Sequence, residues 1–133
     1  MASYVADNVS IHPSAEIDEE VEIGPFCVIG PHVRIGRGTR LENNFTLMEN
    51  VILGQYNHVY PGVVVGGAPQ DLSYSGAATR VIVGDHNTIR EGVTINRGTE
   101  KEDCITSIGD HNFLMACCHV AHDCRLGNHI ILT

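Results

Sequence analysis

A chain of 133 residues, 43% apolar and 18% charged, is long enough for one packed core and too apolar for a disordered segment. Its formal charge of −8 excludes the clustered cations that nucleic-acid binders and polybasic membrane anchors need. Trp is absent and aromatics are only 5%, so the core must come from Val, Ile and Leu, and an all-β fold is expected.

The N-terminus, MASYVADNVS, lacks a basic segment followed by an apolar one, and no apolar run reaches membrane-spanning length. Neither a signal peptide nor a span is expected, and the cytoplasm is the default location. The cysteines at 27, 104, 117, 118 and 124 are odd in number and lack CxxC spacing, which suits free thiols in a reducing compartment.

From Val5 onward, every sixth residue is aliphatic: Val5, Ile11, Ile17, Ile23, Ile29, Ile35, Leu41, Leu47, Leu53, Val59 and Val65. Val, Ile and Leu supply only 34 of 133 residues, so eleven consecutive hits define a repeat. The series resumes at Val83, Ile89 and Ile95, then at Ile108, Leu114, Val120, Leu126 and Leu132. Glycine often follows the aliphatic residue, and a small or apolar residue usually stands two before it. Six extended residues at about 3.3 Å each make one flat side of a β-solenoid. Such hexads resemble the left-handed parallel β-helix, a triangular prism with eighteen residues per coil; the left hand is implied by that resemblance alone, since crossovers are normally right-handed. The whole chain, 1–133, reads as one such domain.

If the sides are lettered A, B and C cyclically from Ile11, Val65 falls on A and Val83 on B, so a loop of about 66–82 leaves the A/B corner. Ile95 and Ile108 again fall on A and B, so a second loop of about 98–107 leaves the same corner one coil later. Val120 is the next A residue, and His122 follows at that corner. Coils about 4.8 Å apart therefore bring the first loop, Asn96, Arg97, His122 and Asp123 together.

A histidine at a corner beside a carboxylate can act as a general base; a solvated corner pair is the plainer alternative for His122 and Asp123. His119 precedes inward-facing Val120 and should face outward, lining a cleft or merely exposed. The motif Gly-Asp-His-Asn at 84–87 and 109–112 stacks Asn57, Asn87 and Asn112 at an inward position and His86, His111 and His129 outside, below Tyr56. A hydrogen-bonded asparagine ladder is expected there. The histidine column would hold a metal only with a third side brought by another subunit. Arg80, Arg90, Arg97, Lys101 and Arg125 gather in the second half, where they contact phosphates, an acidic protein partner, or only solvent.

The segments IGPFCVIGPHV (23–33), GGAPQDLSYSGAATRV (66–81), IREGVTINRGT (89–99) and HVAHDCRLGN (119–128) together resemble the acyl-carrier-protein:UDP-N-acetylglucosamine O-acyltransferase family, which begins lipid A synthesis. The resemblance implies that His122 deprotonates the sugar 3-hydroxyl for attack on a 3-hydroxyacyl carrier protein thioester, and that Asp123 orients the imidazole. It implies that Asp71 binds the sugar, with Gln70 and His119 lining the cleft. It also implies a homotrimer with sites between subunits, and no metal or organic cofactor beyond the phosphopantetheine of the acyl carrier protein.

Two positions depart from the pattern. Ser73 stands where lysine is common and Asn96 where histidine is common, which alters contacts expected of both, and of neighbouring Arg97, with donor or sugar. Family members continue into further coils and a helical C-terminal domain carrying nucleotide contacts, the acyl-length gauge and an oxyanion donor. A chain ending at Thr133 is expected to be a truncated form with little turnover, its open coil capped by another molecule's end. Acyl length, and the choice between the glucosamine nucleotide and a 3-amino analogue, stay open. A non-catalytic trimeric assembly module and a γ-class carbonic anhydrase are the alternatives, although the His119–His122 spacing is unlike the latter's histidine pair.

Overall fold

The computed structural model describes residues 3–133. Nineteen short strands, most of two residues, form three parallel sheets, and no helix occurs among the described residues. Each sheet is one side of the prism. Side A stacks the strands of Ile11, Ile29, Leu47, Val65, Ile95 and Val120; side B those of Ile17, Ile35, Leu53, Val83, Ile108 and Leu126. Side C takes Val5, Ile23, Leu41, Val59, Ile89, Leu114 and Leu132. The registers across both insertions match the six-residue count: Val65 pairs Ile95, which pairs Val120, and Val83 pairs Ile108. The architecture is the parallel β-solenoid expected of the hexads, with the left hand that the resemblance implied.

The aliphatic hexad residues from Ile23 to Val120 are essentially inaccessible, as are most residues two positions earlier, such as Val21, Val63 and Val93. Two inward rows per side thus close the prism without aromatic bulk, apart from buried Phe45. Truncating one of these buried aliphatics to Ala costs about 2–5 kcal/mol by lost transfer energy and cavity formation.

The turn residue three before most of the aliphatics adopts a left-handed backbone. Glycine fills that position at Gly38, Gly62 and Gly92, but Phe26, Asn44, Tyr56, His86, His111 and Asp123 take it with φ between 54° and 68°. For a non-glycine residue this costs about 1–2 kcal/mol, which the coils above and below enforce through hydrogen bonds such as His86 N–H to Gln55 O at 3.0 Å.

At the B/C corner, Asn57, Asn87 and Asn112 form the expected ladder. Asn57 Oδ1 accepts from Asn87 N–H at 2.8 Å, and Asn87 Oδ1 from Asn112 N–H at 2.9 Å. Each Nδ2 donates to a glycine carbonyl of the next coil: Gly84, Gly109 and Gly127. Glycine is required at 84, because a Cβ there would lie 2.1 Å from Asp110 Oδ1. Outside the ladder, the rings of Tyr56, His86, His111 and His129 stack at 4.9–5.2 Å. Parallel imidazoles at that separation do not converge on one metal ion.

The two external loops are shorter than the sequence suggests. Strand Val64–Gly67 pairs with Thr94–Asn96, and Arg80–Val83 pairs with Ile105–Ile108, so ladder bonds absorb the loop ends. The excursions are 68–79 and 97–104. All five cysteines are free. No helix among the described residues is long and apolar enough to cross a membrane.

Candidate active site

The A/B corner is where the hexad is interrupted, and both excursions fold back onto it. Asn96 Nδ2 donates to Ala68 O at 2.7 Å, and Arg97 N–H donates to Gly67 O at 2.8 Å. The second excursion then turns tightly at Gly98, where a Cβ would meet Ile105 N at 2.3 Å. This turn delivers Thr99 to the coil that follows.

Thr99 and Asp123 form the centre of the site. Asp123 Oδ1 accepts from Thr99 N–H at 2.6 Å, and Oδ2 accepts from Thr99 Oγ1–H at 2.7 Å. His122 Nδ1 lies 2.8 Å from the same Oδ2. Asp123 N–H in turn donates to Thr106 Oγ1 at 2.9 Å, which fixes the backbone at its left-handed turn, φ 68°. Burial alone would push the Asp123 carboxyl up. The hydrogen bonds from His122 and from Thr99 N–H and Oγ1–H outweigh it and hold the group below its ordinary range. An ionised Asp123 selects the His122 tautomer with its proton on Nδ1, leaving the Nε2 lone pair free. The His122 side chain is 29% exposed, so Nε2 is held and still reachable. Such a pair can take a proton from a hydroxyl.

Asp71 is the second carboxylate at this corner. Its Oδ1 accepts from Ser73 N–H at 2.9 Å and from Ser73 Oγ–H at 2.8 Å. Lys101, from the second excursion, donates to Oδ2 at 2.8 Å. Lys101 first, then the two Ser73 donors, hold Asp71 far below the usual carboxylate range. Gln70 is exposed beside it. His119 is also exposed, its Nδ1 2.8 Å from Thr94 Oγ1.

Three residues expected to touch substrate are otherwise engaged. Asn96 is 8% exposed and anchors the first excursion through Ala68. Arg97 is 6% exposed; its Nη1 donates to Gly66 O at 2.5 Å and its Nη2 to Tyr74 Oη at 3.3 Å, with Glu49 at 3.5 Å. The excursion folds over both side chains, which the hexad count does not register. Ser73 spends its hydroxyl on Asp71. The other cations are largely neutralised as well: Arg90 pairs with Glu91 and covers the Tyr60 ring, and Arg125 pairs with Asp103.

A concavity of about 480 Å³ lies further along the A/B corner, lined by His32, Asn50, Ile52, Thr79, Arg80 and Cys104 among others. His122, Asp71, Gln70 and His119 do not line it. Thr99 and Thr106 were not anticipated, and Lys101 was expected only as one of the second-half cations. Thr106 carries a signal: it stands two before Ile108, an inward position usually apolar, with its hydroxyl buried.

A family model described as the GMPPB C-terminal domain matches residues 5–100. The acyl-(acyl-carrier-protein):UDP-N-acetylglucosamine O-acyltransferase of Thermodesulfovibrio yellowstonii is 50% identical over 122 residues, covering 92% of this chain and 47% of that protein. The same-named enzyme of Saccharophagus degradans is 42% identical, covering 98% and 50% respectively. Among solved structures, LpxA of Acinetobacter baumannii superposes with a TM-score of 0.95 at 42% identity, covering 96% of this chain and 49% of that one. The chain spans about half the length of the curated relatives it matches. Neither the carbonic anhydrase nor the non-catalytic alternative finds support in these similarities. The chain belongs to the family that the GMPPB C-terminal domain model describes, and nearly its whole length is similar to about half of the acyl-carrier-protein:UDP-N-acetylglucosamine O-acyltransferases.

Proposed function

We propose that this chain carries the catalytic base of an O-acyltransferase that moves a 3-hydroxyacyl group from acyl carrier protein to the 3-hydroxyl of UDP-N-acetylglucosamine, in lipid A biosynthesis. The observation that supports it most strongly is the Thr99–Asp123–His122 chain of hydrogen bonds on a part-exposed histidine, because an ionised carboxylate at Nδ1 favours the tautomer with Nε2 bare. His122 Nε2 takes the proton of the sugar hydroxyl as that oxygen attacks the thioester carbonyl carbon. The tetrahedral intermediate collapses with cleavage of the carbon–sulfur bond. The imidazolium then returns its proton to the departing phosphopantetheine sulfur. Asp123 stays ionised throughout and balances the imidazolium charge. Asp71 accepts a hydrogen bond from the sugar, with Gln70 beside it and His119 on the adjoining outer face of side A.

The chemistry needs no metal and no organic cofactor, because the donor brings its own phosphopantetheine. A homotrimer with sites between subunits would bring a second wall to the corner that carries the part-exposed His122. Leu72, fully exposed at the first excursion, and Phe26, Val28 and Met48, also exposed, are apolar surface that a neighbouring subunit would cover. The cytoplasm suits both the five free thiols and a carrier-protein donor.

Mass-spectrometric detection of acylated UDP-N-acetylglucosamine after incubation with 3-hydroxyacyl carrier protein tests the reading. Product formed only when the protein is present is the expected result. A folded protein that consumes neither substrate would overturn it.

A further inference from the structure

Lys101 sits in an acidic stretch, Glu100-Lys101-Glu102-Asp103, yet reaches out of it to the other excursion and ties Asp71 Oδ2 at 2.8 Å. The negative groups acting on it are Asp71 opposite, Glu100 on its own segment and Asp123 from the next coil. Its side chain is 60% exposed while that of Asp71 is 16% exposed. An exposed ion pair adds little to stability, so fastening the loop is a weak reason for this contact.

The hydrogen-bonding capacity of the pair gives a better one. Asp71 Oδ1 is filled by the two Ser73 donors, whereas Oδ2 has accepted only from Lys101 and retains one lone-pair direction. The ammonium has used one of its three donors and keeps two, on a side chain that is 60% exposed. One free acceptor beside free donors matches a hydroxyl next to a second oxygen, the arrangement repeated around a pyranose ring.

We propose that Lys101 is a substrate-positioning residue, forming with Asp71 a donor–acceptor pair that reads two neighbouring oxygens of the acceptor sugar. This rests on the acyltransferase reading and adds a residue to it. Ser73 fixes the carboxylate plane, and Lys101 supplies the cation from the second excursion. Because the same excursion carries Thr99, sugar capture at Asp71 and orientation of His122 through Asp123 share one short segment.

Calorimetric titration of UDP-N-acetylglucosamine into the unaltered protein, Lys101→Met and Lys101→Arg tests this. Loss of a charged hydrogen bond should weaken binding about tenfold in Lys101→Met, and Lys101→Arg should stay within about threefold. In the transfer assay the acceptor KM should rise by the same factor while kcat stays within about twofold, the signature of lost ground-state binding. Melting temperatures should agree within about 2 °C, as befits an exposed pair. Equal affinity in Lys101→Met overturns this inference and leaves the acyltransferase reading intact, as does equal weakening in both variants. No saturable binding by the unaltered protein overturns both.

Discussion

The B/C and A/B corners are built from the same hexad with the same left-handed turn, yet one is chemically closed and the other open. At the B/C corner, Asn57, Asn87 and Asn112 use their side-chain and backbone groups on the coils above and below, and Gln55 N–H, Asp85 N–H and Asp110 N–H are bound by Asp85, Asp110 and Asn128 carbonyl or carboxylate oxygens. Its asparagine side chains are consumed by the ladder, and its outer histidine rings stack on one another. At the A/B corner, the two excursions break the stacking, and the groups so released, His122 Nε2 and the outer face of the Lys101–Asp71 pair, retain capacity for a ligand. Periodicity builds the scaffold, and its interruption supplies reactive groups.

Breaking the open corner should have the larger effect on chemistry and the closed corner the larger effect on stability. His122→Ala removes the base and should lower kcat for acyl transfer by about 10²–10⁴-fold, measured by product mass, with melting temperature nearly unchanged. Asn87→Ala strands the buried Asn112 N–H and Gly109 carbonyl and leaves a small void. Urea unfolding should show a loss of about 2–4 kcal/mol. Thr99→Val keeps the N–H bond to Asp123 but deletes the hydroxyl bond, and about 1–2 kcal/mol of stability should go with it.

The smallest effect sharpens the contrast by pH. Asp123 titrates below its ordinary value of 3.8 when folded, so its contribution to stability is complete above that value and is lost as pH falls through the lower, folded one. The stability gap between the unaltered protein and Asp123→Asn should therefore be constant from about pH 5 upward and narrow in more acid solution. A gap that varies near neutrality would assign the titration to another group.

The scaffold was almost fully legible in the sequence, because each hexad residue is set by a local rule that survives insertion. Val65 and Val83 were assigned to adjacent sides across a gap of seventeen residues, and the sheet registers agree. The asparagine ladder followed from the same count. The corner site was legible only where it stays on the repeat, at His122 and Asp123. The covering of Asn96 and Arg97 by the first excursion was not legible, because nothing in the spacing reports how a loop closes. Thr99 and Lys101 lie off the count altogether; their roles depend on the turn at Gly98, a close approach visible only in three dimensions.

The central claim is that Asp123 holds His122 with its Nε2 lone pair free. Nitrogen-15 NMR of the His122 ring at a pH where it is neutral tests this most directly. The account predicts a dominant form protonated at Nδ1 and bare at Nε2, and loss of that preference in Asp123→Asn. A ring protonated mainly at Nε2 in the unaltered protein would contradict it.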